Sequence, residues 1–197
     1  MAVSRFEIAL RRPLAGGASF TSPAGEVGPY EELKGRLHFA IDPLHSANRR
    51  ITDVELAPCN PAGRVEWSAD VSILLPLDRA KCSGRVMLDV VNRGNTVAVP
   101  NFNRATRPLF GAGSDPNPPI DVGDGFLMKR GFVVISCGWQ GDVPEIPGLY
   151  RMRPPEARTA QGQPLRGRVH SQLQSSAPVP QFLLSDRGHI PYPAADL

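Results

Sequence analysis

Apolar and polar residues alternate along the first part of this chain with the two-residue period of a half-buried strand. In 5–10, Phe6, Ile8 and Leu10 fall on one side, which predicts a strand with one face on a core. Pro13 ends it, and Gly16-Gly17 with the proline-bearing stretch 23–29 predicts a turn. Leu33, Gly35, Leu37, Phe39 and Ile41 predict a second strand, closed by Asp42-Pro43. Residues 51–56 predict a third. After the turn residues Asn60-Pro61-Ala62-Gly63, residues 65–75 predict a fourth, closed by Pro76. The connections in 1–77 are too short for crossover helices, so this portion is expected to be mainly antiparallel.

The pattern then changes. Arg85-Val-Met-Leu-Asp-Val-Val91 is almost continuously apolar, broken only by Asp89. Such a run predicts a strand buried on both faces, as in a parallel sheet. Asn92-Arg-Gly-Asn95 follows, and then a loop to residue 122, rich in Pro, Gly and Asn, with no periodicity of its own. A loop of that length is usually functional or mobile. Gly123-Asp-Gly-Phe-Leu-Met-Lys-Arg-Gly131 predicts a short helix. Asp121 or Asp124 can accept its first amides, Lys129 and Arg130 stand in its last turn, and Gly131 fits its left-handed stop. Phe132-Val-Val-Ile135 predicts a second buried strand. Residues 84–138 therefore read as one parallel βαβ unit. Residues 145–197 read as a loop-rich extension in which 167–173 form a further candidate strand.

Composition narrows the class. The 197 residues suffice for one domain with a real core, and 41% hydrophobic residues exclude wholesale disorder. With 21 prolines and 19 glycines the chain favours short strands and loops over a helical bundle. The formal charge of +3 comes from arginines interleaved with acidic residues. No basic run or aromatic-basic module points to nucleic acid, and none is expected as partner. Cys59, Cys82 and Cys137 are odd in number and widely spaced, against a disulfide framework or a zinc site. Residues 1–14 lack the continuous apolar stretch of a secretory signal. No run approaches the ~18 apolar residues of a membrane span. A cytoplasmic protein without membrane contact is expected.

Chemistry-bearing motifs are sparse. A serine hydrolase presents its nucleophile on a tight strand-to-helix turn, commonly GxSxG, and none occurs. Ser136-Cys137-Gly138 follows a strand but lacks the preceding glycine; a small residue ending a strand is the plainer reading of Cys137 than a nucleophile. His38, His45, His170 and His189 are scattered, with no metal spacing, so no metal is expected. Gly111-Ala-Gly113 lacks the third glycine of a dinucleotide fingerprint and opens no helix, so no cofactor is expected. Asn92, Arg93 and Gly94 stand at the carboxyl end of a buried strand, where open α/β sheets bind ligands. Glycine there lets backbone amides approach an anion or oxyanion. A strand-ending turn that satisfies its own backbone is the equal alternative.

Val27-Gly-Pro-Tyr-Glu-Glu-Leu, Leu88-Asp-Val-Val-Asn-Arg-Gly-Asn95, Gly125-Phe-Leu-Met-Lys-Arg-Gly-Phe132, Cys137-Gly-Trp-Gln-Gly-Asp-Val-Pro144 and Asp186-Arg-Gly-His-Ile-Pro-Tyr-Pro193 carry a resemblance. The chain resembles the N-terminal part of a family of large bacterial α/β-hydrolase domain proteins. The resemblance implies an α/β fold whose antiparallel strands lead into a parallel βαβ unit, with the sheet incomplete in 1–197, a single partial domain. It implies acyl transfer by a serine, a histidine and an acid on an ester or amide substrate. The nucleophile would follow the strand after 132–135, and no such elbow is present. The expectation is an N-terminal portion of a serine hydrolase or esterase, inactive alone and prone to self-association. The only role carried over is that of Asn92, Arg93 and Gly94 as an oxyanion loop. The alternatives are a self-contained β-rich binding module using the long loop, and an enzyme with Cys137 as nucleophile.

Overall fold

A computed structural model describes residues 2–23, 25–108, 115–167, 172, 174–182 and 192–193. The chain divides into two compact units, Met1–Ala157 and Arg158–Leu197. In the first unit the alternating segments form strands, some longer than their patterns mark. Strand β1 (Ala2–Pro13) pairs antiparallel with β3 (Gly25–Ile41). β3 pairs antiparallel with β4 (Val65–Pro76) from Tyr30 to Ile41. β6 (Val133–Cys137) is antiparallel to β4, and β5 (Val86–Val90) is parallel to β6. The order is β1-β3-β4-β6-β5, with short β2 (Ser19–Ser22) on β3 and β7 (Met152–Arg153) on β4. Antiparallel strands thus lead into a parallel pair, as the sequence predicts.

Three expectations about the strands need correction. Residues 25–29, read as a turn, belong to β3. Pro29 lies within it and its carbonyl accepts the Leu77 amide at 2.9 Å, and Gly28 takes a left-handed φ of 90° beside a shift in the β2–β3 register. Residues 51–56 form turns and a single 3-10 turn at Val54–Leu56 rather than a strand. Only Val54 of that stretch is buried, against Ile41 and Val65 in a small second core. The third concerns β5, which is not buried on both faces. Because β6 inserts between β4 and β5, β5 becomes the sheet edge. Val86, Leu88 and Val90 are then 58%, 60% and 59% exposed, while Asp89 on the other side is 3% exposed.

The covered face of the sheet holds the main core. Tyr30, Leu74 and Val134 lie beneath Leu14, Phe20 and two short helices, α1 (Ala98–Asn103) and α2 (Phe126–Lys129). Tyr30 meets Phe20 edge to face at 5.4 Å. Its hydroxyl lies 3.1 Å from the Met128 carbonyl and 3.0 Å from that of Phe132, sharing one proton between two acceptors. Burial pushes the phenol pKa up, which keeps that proton in place.

Helix α1 lies in the loop expected to have no structure. Pro100 obscures its pattern but is tolerated in the first turn, where its missing amide has no helical partner. Helix α2 follows the expected plan in four residues: Asp124 Oδ1 accepts the Phe126 amide at 3.0 Å, and Gly131 stops the turn at φ 69°. Asn103, fully buried, joins the two helices. Its Oδ1 accepts the Leu127 amide at 3.0 Å, and its Nδ2 donates to the Val122 carbonyl at 3.0 Å.

In the second unit, residues 158–164 form a turn closed by an Arg158–Pro164 bridge, and β8 (Gln181–Phe182) pairs antiparallel with β9 (Tyr192–Pro193). His170, His189 and the candidate strand at 167–173, except its residues 167 and 172, lie outside the described residues.

Asn103→Leu leaves the Leu127 amide buried without its acceptor. The expected loss of stability is about 1–3 kcal/mol, read as a lower urea midpoint with an unchanged denaturant slope.

Candidate functional site

The residues singled out after β5 form a tight two-residue hairpin. Asn92 and Asn95 exchange backbone hydrogen bonds of 2.8 and 2.9 Å across Arg93 and Gly94. Both central residues are left-handed, with φ of 49° and 85°, the combination of a type I′ turn. Gly94 is required twice over, since a Cβ there would stand 2.8 Å from Val143 Cγ1 and 2.9 Å from Leu149 Cβ.

This hairpin is locked onto the loop that follows β6. The Arg93 amide donates to Gln140 Oε1 at 3.1 Å, and its guanidinium pairs with Asp142 at 2.6 Å. Trp139 Nε1 donates to the Val91 carbonyl at 2.7 Å, and the Tyr150 amide to the Gly94 carbonyl at 2.9 Å. The two segments lie almost fifty residues apart in sequence and form one unit at the carboxyl ends of the parallel strands. The Asn92 and Arg93 amides are engaged by Asn95 and Gln140 within this unit. Asp70 of β4 braces it from the side. Its backbone carbonyl accepts the Gly138 amide at 2.9 Å, and its carboxylate takes the Arg151 amide at 3.1 Å and the Arg153 guanidinium at 2.7 Å.

Sequence reasoning missed a polar cluster on the covered face. Pairing sets Asp89 of β5, Ser136 of β6 and Ser72 of β4 in one row. Ser136 Oγ donates to Asp89 Oδ2 at 2.9 Å, and the Val97 amide reaches the same oxygen at 3.0 Å. Asp89 Oδ1 is buried without a hydrogen-bond partner among the described residues. Ser72 Oγ lies 3.5 Å from Glu32 Oε1. Glu32, also buried, pairs with Arg12 at 2.7 Å, and Arg12 donates further to the carbonyls of Asn117 and Pro118 at 2.9 and 2.7 Å. Arg12 thereby ties the returning limb of the long loop to the sheet. Tyr150 lies beside the cluster, its phenol pKa raised by burial and then by Glu32, with the Ser72 hydroxyl opposing. The signal in the sequence was Asp89 itself, a lone acid in an apolar run.

A cavity of about 240 Å³ lies between this cluster and the loop. Ser72, Ser136, Leu74 and Tyr150 line its sheet side; Val99, Pro100, Pro119 and Ile120 are among the loop residues opposite.

The other candidates have structural partners. His38 Nε2 lies 3.0 Å from Glu7 Oε2, and His45 Nδ1 accepts the Ala47 amide. Burial, and then Asp70, push the Cys137 thiol pKa up, the reverse of an activated thiolate. Among the described residues no group of three or more His, Cys, Asp or Glu stands together to hold a metal. Among them, too, no helix is long and apolar enough to cross a membrane.

Fold and site together define a β-rich protein built on a mixed sheet, with a polar cluster and cavity on its covered face. No family model, no curated protein and no solved structure matches the chain.

Arg12→Met leaves Glu32 buried without its cation and frees the loop carbonyls. The expected cost is about 2–4 kcal/mol. Arg12→Met combined with Glu32→Gln is expected to recover part of it; urea denaturation of the parent, the two single variants and the double variant measures the coupling.

Proposed function

We propose that this chain is the N-terminal portion of an α/β-hydrolase-type protein of the serine hydrolase or esterase kind, inactive alone, whose substrate is a small ester or amide. The observation that carries this reading is the open edge of β5. β6 is flanked by β4 and β5, so a further strand that extends the parallel pair joins at β5. In the fold that the sequence resembles, the nucleophile follows the strand after β6. The free edge is the position that strand would take.

The outward face of β5 gives independent support. Val86, Leu88 and Val90 form an exposed apolar stripe, continued by half-buried Val133 and Ile135 on β6. Parallel strands are normally covered on both faces, and a bare apolar stripe on an open edge is an association hazard. In this reading the remaining part of the hydrolase covers it. The Asn92–Gly94 hairpin then serves mainly to fix the shape of the oxyanion region, since its Asn92 and Arg93 amides are already engaged.

The coding DNA beyond the Leu197 codon tests this reading directly. In-frame codons for a strand followed by GxSxG are expected. A stop codon there, with a chain that is a stable monomer, would contradict it. The chain itself should resist labelling by a fluorophosphonate serine probe; stoichiometric labelling would overturn the absence of a nucleophile. In sedimentation velocity at tens of micromolar the chain should self-associate, and L88K combined with V90K should shift it toward monomer.

A further inference from the structure

We infer that the cavity between the sheet and the loop is a binding site for a small, uncharged, largely apolar molecule that ends in a hydrogen-bond donor, an alcohol or a primary amide. The inference stands apart from the hydrolase reading, because every residue it needs is in this chain.

Size sets the first limit. A cavity of roughly 150 Å³ accepts benzene, so about 240 Å³ takes a six-membered ring with a short arm. The walls supply the apolar part: Leu74, Val99, Pro100, Pro119 and Ile120 offer carbon surface and no donors.

The floor sets the polar specificity. A serine hydroxyl has one proton and two lone pairs. Ser136 gives its proton to Asp89, and Ser72 points its own toward Glu32. The Ser136 hydroxyl is thereby left as an acceptor at the cavity, whereas Ser72 is shared between Glu32 and the Tyr150 hydroxyl. Behind Ser136, Asp89 Oδ1 is buried and unpartnered among the described residues, a further acceptor in a region already rich in them. Such a floor matches a ligand that donates.

Charge sets the last limit. Two acidic residues, Asp89 and Glu32, lie behind the floor, both almost fully buried. The Arg12 cation is taken by Glu32 and two loop carbonyls. The Arg107 guanidinium at the cavity wall donates to Asn101 Oδ1 at 2.6 Å. At the floor, where the polar end of a ligand must sit to reach Ser136, these two acids repel a carboxylate; Arg107, hydrogen-bonded to a neutral amide, keeps its charge on the loop side. An ammonium would lose its hydration on entry, which leaves a neutral donor as the best match.

The test is an NMR titration of the isotopically labelled chain with three probes that share a ring: benzyl alcohol, toluene and benzoate. Benzyl alcohol should saturate, with amide shifts centred on Ser72, Val99, Ile120, Ser136 and Tyr150. Toluene should bind about three- to tenfold more weakly, for want of one hydrogen bond. Benzoate should give no saturable shift there. Ser136→Ala should bring the alcohol down to the affinity of toluene while leaving toluene unchanged. Ile120→Trp, at a half-buried wall position, should abolish both while the melting transition stays cooperative. Benzoate binding as tightly as the alcohol, an alcohol-to-toluene ratio unaltered in S136A, shifts centred elsewhere, or no saturable binding by any probe would each overturn the proposal.

Discussion

A carboxylate buried on one side of a five-residue edge strand organises the second half of this fold. Asp89 interrupts an otherwise apolar run, and burying a polar group costs free energy unless hydrogen bonds replace its water. The chain answers with two donors on one oxygen, the Ser136 hydroxyl and the Val97 amide. The first bond fastens β5 to β6 through side chains as well as through the parallel ladder. The second fixes the residue from which α1 starts, and with it the loop that lies over the sheet. The second oxygen has no partner among the described residues, so the cluster is polar beyond what its own structure uses.

The two faces of the sheet differ accordingly. The face that carries Asp89, Ser136, Leu74 and Tyr30 is roofed by two short helices and the long loop. The opposite side of β5 presents Val86, Leu88 and Val90 to solvent. Soluble proteins usually protect a strand edge with charge, proline or a covering element. Here the edge is parallel and apolar. The end of the same strand is, by contrast, tightly built: the Asn92–Asn95 hairpin, Gln140, Trp139 and the Tyr150 amide interlock. β5 is thus rigidly built at one end and bare along its side.

Most strands were legible because their period is local. Phe6 and Leu10, or Leu33 through Ile41, declare a half-buried strand without reference to anything distant. Burial at a sheet edge is not local: the run from Val86 to Val90 reads as doubly buried, and only the insertion of β6 between β4 and β5 makes it an edge. Ile8 is exposed for a similar reason, because β1 is the opposite edge. Val54 shows the converse, a buried anchor on a turn that an apolar pattern mistakes for a strand. Helix α1 was hidden by Pro100. At the candidate site, a turn at Asn92-Arg-Gly-Asn95 was one of two equal readings; Gly94 suits its left-handed position, whereas Arg93 gives no sign of the other. The turn's engagement with Gln140 and Asp142 was not legible, nor was the row of Asp89, Ser136 and Ser72, because register across three strands is a tertiary fact.

Native-state hydrogen exchange on the chain and on Asp89→Leu tests most directly whether this carboxylate organises the parallel half. Leucine keeps much of the volume and removes both acceptor oxygens. The account predicts that the Val97 amide and the amides of 98–106 lose protection, while the β3–β4 ladder from Tyr30 to Ile41 keeps its own. Protection at Val97 equal to that of the parent chain, or an even loss across the whole sheet, would contradict it.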